Sequence, residues 1–404
     1  VSIQEIKECF MKRIGIVCLM VLLAFSLVLV GCSKEEAPEQ ASAAPQESGS
    51  VGTVEQAPDT QEAEPQSSEA DDEKFKAAFV YIGPPGDLGW TYMHDVGRLE
   101  MLEELGDQVE TTYIESVEEG PDSARIMSQY ARQGYDMIFA TSFGYMDFMY
   151  ETAADYPDTL FEHCSGYMTA ENMSTYFGRM YQPRYLSGIV AGEMTETDVI
   201  GYVAAFPIPE VIRGLNAFTL GAQFVNPDVE VRVIWTNTWY DPVKEREAAI
   251  ALLDAGADIL AQHQDTTEPP KAAKERGAYS IGYDADMRKF VGDTVLVSPV
   301  WNWGPYYTET IQAAIDGTWE THEFWGGLKE GTVKLSDFSP FVPENVRSDV
   351  DDMRKMIESG TWDVFTGPIY DQDGKLVVKD GEKMSDGDML SMSFLVDGVI
   401  GSIN

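Results

Sequence analysis

The chain is poor in the residues on which most chemistry depends. It holds four cysteines and four histidines in 404 residues, and 28 lysines and arginines against 68 acids. Cys9, Cys18 and Cys32 all fall near the N-terminus, which leaves Cys164 alone in the rest of the chain. One cysteine forms no intrachain disulfide, and a chain this long buries enough surface to need none. Cys164 beside His163 makes no metal set, so a buried structural cysteine is expected. No CxxC, HExxH or GxSxG occurs, so zinc and nucleophile-elbow chemistry lack their residues. The absence of GxGxxG and GxxxxGK[ST] removes the dinucleotide and P-loop readings. His94, His163, His263 and His322 stand apart in the sequence, and structural or surface places are expected for each. Paired acids such as Asp284 and Asp286 have no nucleophile beside them, so hydrogen bonding to a ligand is their simpler role. No enzyme, metal or cofactor is expected. A formal charge of −40 repels phosphate backbones and anionic headgroups, which argues against nucleic-acid partners.

The N-terminus is rich in signal. Lys12 and Arg13 precede an apolar run from Ile14 to Val30, closed by Gly31 and Cys32. A basic start, an apolar core and small residues before a cut describe an export signal over residues 1–31. At 17 residues the run also reaches the lower limit for a retained membrane helix. Leu29-Val30-Gly31-Cys32 resembles a bacterial lipobox, residues 29–32, whose cysteine carries lipid through a thioether, so Cys32 is the expected lipidation site. Val1 to Phe10, ahead of Met11, read as an over-extended start. Residues 32–73 are mostly Ala, Pro, Glu, Gln and Ser, too polar to offset chain entropy by burial. A disordered acidic tether is expected there.

Beyond residue 73 strand and helix patterns alternate. Strands are expected at 76–82, 109–114, 137–140 and 160–163, with helices at 92–105, 122–133 and 145–155 between and after them. A second series has strands at 199–204, 229–235, 259–260 and 279–282, with helices at 210–224, 243–253 and after Pro270. This βαβ alternation, repeated, predicts an α/β protein of two doubly wound parallel-sheet lobes joined by a hinge. The expected division is lobe 1 at 74–197, lobe 2 at 198–292, a return to lobe 1 at 293–325, and a C-terminal segment, 326–404, mainly on lobe 2.

In open parallel sheets ligands bind beyond the carboxyl ends of the strands. The loops there read Gly83-Pro-Pro-Gly-Asp-Leu-Gly-Trp90, Thr141-Ser-Phe-Gly-Tyr-Met-Asp147, Ala205-Phe-Pro-Ile-Pro209, Trp235-Thr-Asn-Thr-Trp-Tyr-Asp241, Gln262-His-Gln-Asp265, Gly282-Tyr-Asp-Ala-Asp286 and Ser298-Pro-Val-Trp-Asn-Trp-Gly304. Nearly every one offers an aromatic or a carboxylate, which suits a flat, hydrogen-bonding heterocycle. Trp90 either stacks on that ligand or packs under its own helix.

From about Lys74 to Asn404 the chain resembles the Bmp (basic membrane protein) family of ABC-transporter substrate-binding lipoproteins. The matching segments are 86–95, 141–147, 206–214, 225–228, 302–306 and 365–371. The resemblance implies the type I periplasmic-binding-protein fold, a purine nucleoside or base as ligand, and riboflavin-type heterocycles among relatives. It also implies an ABC permease and ATPase subunits as partners. The family's nucleoside receptors read roughly Asp-Lys-Ser-Phe-Asn in the first loop, and Asp87-Leu-Gly-Trp-Thr91 matches in register with Trp90 as the stacker. Asp284 matches a ribose-contacting acid, while the ribose-contacting lysine falls at Trp301. That departure favours a bare purine such as adenine. The expected ligand-binding set is Asp87, Trp90, Ser142, Phe143, Asp147, Phe206, Trp239, Asp284, Trp301 and Asn302. A monomeric body is expected, exported and lipid-anchored, facing the periplasm or the outer cell surface. The rival readings are a purine nucleoside receptor, a sensor lipoprotein serving a signalling receptor, and a nucleoside-processing enzyme.

Overall fold

A computed structural model describes residues 74–403; the expected signal, Cys32 and the tether lie outside the described residues. The first series is β1 (Phe75–Val80), α1 (Trp90–Leu105), β2 (Val109–Ile114), α2 (Pro121–Arg132), β3 (Met137–Ala140), α3 (Met146–Asp155), β4 (Leu160–Cys164) and β5 (Met173–Gly178). The second is α4 (Tyr181–Met194), β6 (Val199–Ala204), α5 (Pro209–Val225), β7 (Glu230–Trp235), α6 (Pro242–Asp254), β8 (Ile259–His263), α7 (Glu268–Glu275), β9 (Tyr279–Ile281), α8 (Arg288–Val291) and β10 (Val295–Val297). Then follow β11 (Pro299–Trp301), α9 (Gly304–Ile315), β12 (Glu323–Gly326), β13 (Val333–Leu335) and α10 (Glu344–Glu358). The chain closes with β14 (Ile369–Tyr370), β15 (Leu376–Val378), α11 (Asp386–Leu390) and β16 (Val399–Ile400).

Two six-stranded sheets result, in the orders β12-β5-β4-β3-β1-β2 and β10-β9-β8-β6-β7-β16. All pairings within them are parallel. Helices on both faces explain the strand sequences. Ala77 to Val80 and Met137 to Ala140 are all fully buried, as parallel strands covered on both sides require. The rings of Phe79 and Phe139 stack at 4.6 Å between the neighbouring strands β1 and β3. Cys164, also fully buried, ends β4 as a free thiol.

The chain passes between the sheets after β5, after β10 and after β12, and these passages make the hinge. In the second and third of them β11 and β13 pair antiparallel. Two expected boundaries move. Helix α4, placed in lobe 1 by a division at 197, packs along α5 of lobe 2. Gly188 and Gly192 meet the α5 backbone at Phe218 and Ala222, and Gly221 meets Tyr185, each with no room for a Cβ. The first passage is therefore at 178–181. Likewise β10 still pairs with β9, so the return begins after Val297 and not at 293.

Candidate ligand-binding site

Both sheets share one topological feature. In lobe 1 the strand order turns back between β1 and β3, and in lobe 2 between β6 and β8. At such a switch point neighbouring loops leave the sheet in opposite directions and open a crevice. A cavity occupies that place between the lobes, lined by Ile82, Trp90, Glu119, Ser142, Phe143 and Ser165 from lobe 1. Glu210, Trp239, His263, Asp265, Tyr283 and Asp284 line it from lobe 2. All lie at the carboxyl ends of strands or in the loops that follow, except Trp90 and Glu210, which stand in the first turns of α1 and α5. The empty space, open solvent at its mouth included, is ≈ 480 Å³. The lobes touch beside it, because a side chain at Gly89 would collide with the backbone of Asp265.

Half of the expected set lines this cavity: Trp90, Ser142, Phe143, Trp239 and Asp284. Trp90 Nε1 donates to the carbonyl of Thr141 (2.8 Å), and its ring meets Trp301 edge-on at 5.3 Å. Trp90 lines the cavity and also packs against the core. Ser142 donates to Glu119 Oε1 (2.5 Å), which also accepts from the amide of Gly144 (2.9 Å). Phe143 is half exposed, and Trp239 packs against Phe206 at 5.2 Å.

The other five stand elsewhere. The carboxylate of Asp87 accepts from the amides of Gly89, Thr91 and Tyr92 (2.9, 2.9 and 3.0 Å), so it organises the start of α1. Burial pushes its pKa up and those three donors partly offset the rise. Phe206 backs Trp239 from outside the lining. Asp147 is exposed in the first turn of α3. Asn302 donates to the carbonyl of Gly331 (2.7 Å) and accepts from Lys334 (2.9 Å), beside a separate surface hollow. Trp301 is fully buried behind Asp284 and donates through Nε1 to its Oδ1 (2.8 Å). Gly178, closing β5, makes room for the Trp301 indole.

Asp284 is the centre of the lobe 2 side. It is fully buried, its Oδ2 has no protein partner, and its φ of 63° is left-handed, a conformation that aspartate tolerates better than most residues. Burial pushes its pKa well up, Trp301 and Arg184 pull it back, and the charges of Asp87 and Glu210 push again. Asp265 is raised well above the carboxylate range by burial first and then by Asp284 and Asp87. Burial holds His263 down at about 4, so it is neutral; its Nε2 lies 3.1 Å from the Tyr283 hydroxyl. Asp286 points away, toward Arg288 at 3.8 Å. The lining thus has four carboxylates, a neutral imidazole and no lysine or arginine. Such a lining can accept hydrogen bonds and pack against a flat ring.

Ile82, Glu119, Ser165, Glu210, His263, Asp265 and Tyr283 line the cavity from outside the expected set. Asp265 and Tyr283 stand in loops that the sequence marks, and for His263 the sequence favours a structural or surface place. Glu119 and Ser165 follow β2 and β4 in loops without a motif.

Residues 74–362 match the family model described as ABC transporter substrate-binding protein PnrA-like (Bmp). A purine-binding protein of Brucella abortus is 48% identical over 81% of this chain and 93% of its own length. A Haloferax volcanii protein, provisionally named an ABC-transporter glucose-binding protein, is 46% identical over 74% of this chain and 76% of its own. Among solved structures, solute-binding proteins of an ABC transporter system from Aeropyrum pernix align with a TM-score of 0.62 at 23% identity, over 71% of this chain and 92% of theirs. That likeness carries the fold alone. The chain is a solute-binding receptor and not an enzyme; it serves an ABC permease and ATPase from outside the cytoplasm, and it belongs to the PnrA-like Bmp family of ABC-transporter substrate-binding proteins.

Proposed function

We propose that the receptor captures a free purine base such as adenine between its lobes, and that Cys32 anchors it to the membrane through lipid. The carrying observation is the bond from Trp301 Nε1 to Asp284 Oδ1, 2.8 Å. It fixes the carboxylate, takes up one oxygen and leaves buried Oδ2 to accept from a ring N–H or an exocyclic amine. An indole supplies no cation and a single donor, so nothing at position 301 recognises a ribose as a lysine does. Aromatic side chains on both lobes, Trp90 and Trp239, suit a flat ring. The acid-rich lining disfavours phosphorylated ligands. The name of the Brucella relative supports the same reading. That of the Haloferax relative raises a second, a hexose, since carboxylates beside tryptophans also suit sugars.

Titration of adenine, hypoxanthine, guanine, their nucleosides and glucose into refolded, ligand-free protein separates these readings. A free base is expected to bind most tightly. A nucleoside or glucose binding more tightly than every base overturns the assignment. Asp284→Ala is expected to weaken base binding by roughly 10- to 150-fold, the worth of a hydrogen bond to a charged group. Trp301→Lys is expected to admit nucleosides. For the anchor, Cys32→Ser is expected to leave the protein soluble or unprocessed. A mature-sized mutant that still partitions into detergent rules out lipid at Cys32.

A further inference from the structure

Arg184 stands in the first turn of α4, just past the first passage between the lobes. It is fully buried, and no carboxylate pairs with it directly. Nη1 donates to the carbonyl of Gln262 (2.5 Å), and the guanidinium carbon lies 3.6 Å from the centre of the Tyr283 ring. Nε and Nη2 have no protein partner, nor does Oδ2 of Asp284. A charge in such a place costs several kcal/mol to desolvate, so a buried arginine kept without an ion pair calls for a reason. What it touches supplies one. Gln262 lies in β8, directly before His263 and the loop to Asp265. Tyr283 precedes Asp284. One guanidinium thus backs two of the four lobe 2 loops that face the cavity, those after β8 and β9, without lining it.

We propose that Arg184 is a positioning residue of the ligand site: it fixes the Gln262 and Tyr283 loops from beneath, and its charge keeps Asp284 a competent hydrogen-bond acceptor. This rests on the reading of the cleft as the ligand site. Arg184 is the cation that bears on Asp284 itself, against Asp87, Glu210 and Asp265, with neutral His263 and the Tyr202 and Tyr283 phenols beside them; the other buried guanidinium nearby, Arg213, bears instead on Glu210, His263 and Tyr283. Arginine suits the task better than lysine. Its plane lies over an aromatic face while one N–H bonds in the plane to a carbonyl.

The test compares wild type with Arg184→Met, Arg184→Lys and Arg184→Met/Asp284→Asn, using adenine affinity and the thermal midpoint from pH 5 to 9. Arg184→Met is expected to weaken adenine binding roughly 10- to 100-fold near neutral pH. Without the guanidinium Asp284 ionises at higher pH, so this deficit is expected to narrow as pH rises. Arg184→Lys is expected to restore the pH profile but only part of the affinity. A deficit constant with pH assigns Arg184 a packing role and overturns the proposal. The ligand-free midpoint decides independently of the ligand's identity. The native state already holds the Asp284 proton more tightly than the unfolded chain, so its contribution is a penalty, absent in acid and growing as pH rises. Losing Arg184 is expected to steepen the fall of the midpoint with pH, and Asp284→Asn to remove that extra slope. Equal slopes in wild type and Arg184→Met overturn the proposal even if no purine binds. If Arg184→Met does not fold, the double variant is expected to recover folding; failure to do so also overturns it.

Discussion

Trp90 is held from several sides. Its N–H is tied to the carbonyl of Thr141, and its ring touches His94 at 4.4 Å and Trp301 at 5.3 Å, both edge-on. A ring so fixed loses little freedom when a ligand arrives, and preorganisation of this kind is where a stacking residue gains affinity. Base stacking on an aromatic is worth about 1–3 kcal/mol, so Trp90→Ala is expected to weaken adenine binding by roughly 5- to 150-fold. The same change removes core packing and lowers the thermal midpoint. Trp90→Phe separates the two effects: it keeps a ring but frees the Thr141 carbonyl, and is expected to retain most of the affinity. Calorimetry on both variants decides. Unchanged affinity in Trp90→Ala excludes stacking.

The same close fit recurs between elements. Helices α4 and α5 approach so nearly that Gly188, Gly192 and Gly221 each meet the backbone of the other helix first. Gly221→Ala is expected to push the helices apart at a cost of about 1–3 kcal/mol, seen as a lower midpoint in thermal unfolding. Because α4 carries Arg184, ligand affinity should fall as well. An unchanged midpoint excludes the tight seam. This seam also shows where sequence reading stops. Elements with a polar face or a clear turn, such as β1, α1 and α6, fall within a few residues of their expected bounds. Helix α4 escaped because nearly all of it is buried, so it has no amphipathic period, and Pro183, Gly188 and Gly192 argue locally against a helix. Packing overrides that preference. Strand β5, Met-Ser-Thr-Tyr-Phe-Gly, is buried along its whole length despite two hydroxyl side chains, and it too left no alternation to read. At the site, the motif-bearing loops led to Trp90, Trp239 and Asp284. Asp87 also sat in such a loop, but an acid four residues before a helical amide serves a cap as well as a ligand. Neither spacing nor composition could separate the two roles.

Across the whole molecule, closure sets like charges against one another. Asp87 and Glu119 come from lobe 1, while Glu210, Asp265 and Asp284 come from lobe 2. Gly89 meets the Asp265 backbone where the lobes touch. Asp265 is at least nine-tenths buried in this closed form, and part of the rise in its pKa is due to Asp87 across the cleft. Opening would return solvent to Asp265 and separate it from Asp87, lowering its pKa toward the ordinary carboxylate value. The closed form is therefore expected to hold a proton that an open form releases. By linkage, closure of the ligand-free protein is favoured as pH falls and lost as pH rises through the raised pKa of Asp265. A donor-rich ligand replaces that proton by satisfying the same oxygens, so it should close the lobes where protons are scarce. Small-angle scattering on ligand-free protein is expected to give a larger radius of gyration at pH 8 than at pH 5, and adenine at pH 8 should restore the smaller value. In Asp265→Asn the dependence on pH should weaken, since an amide has no proton to take up. Equal radii for the ligand-free wild type at both pH values would show that carboxylate repulsion does not govern the hinge.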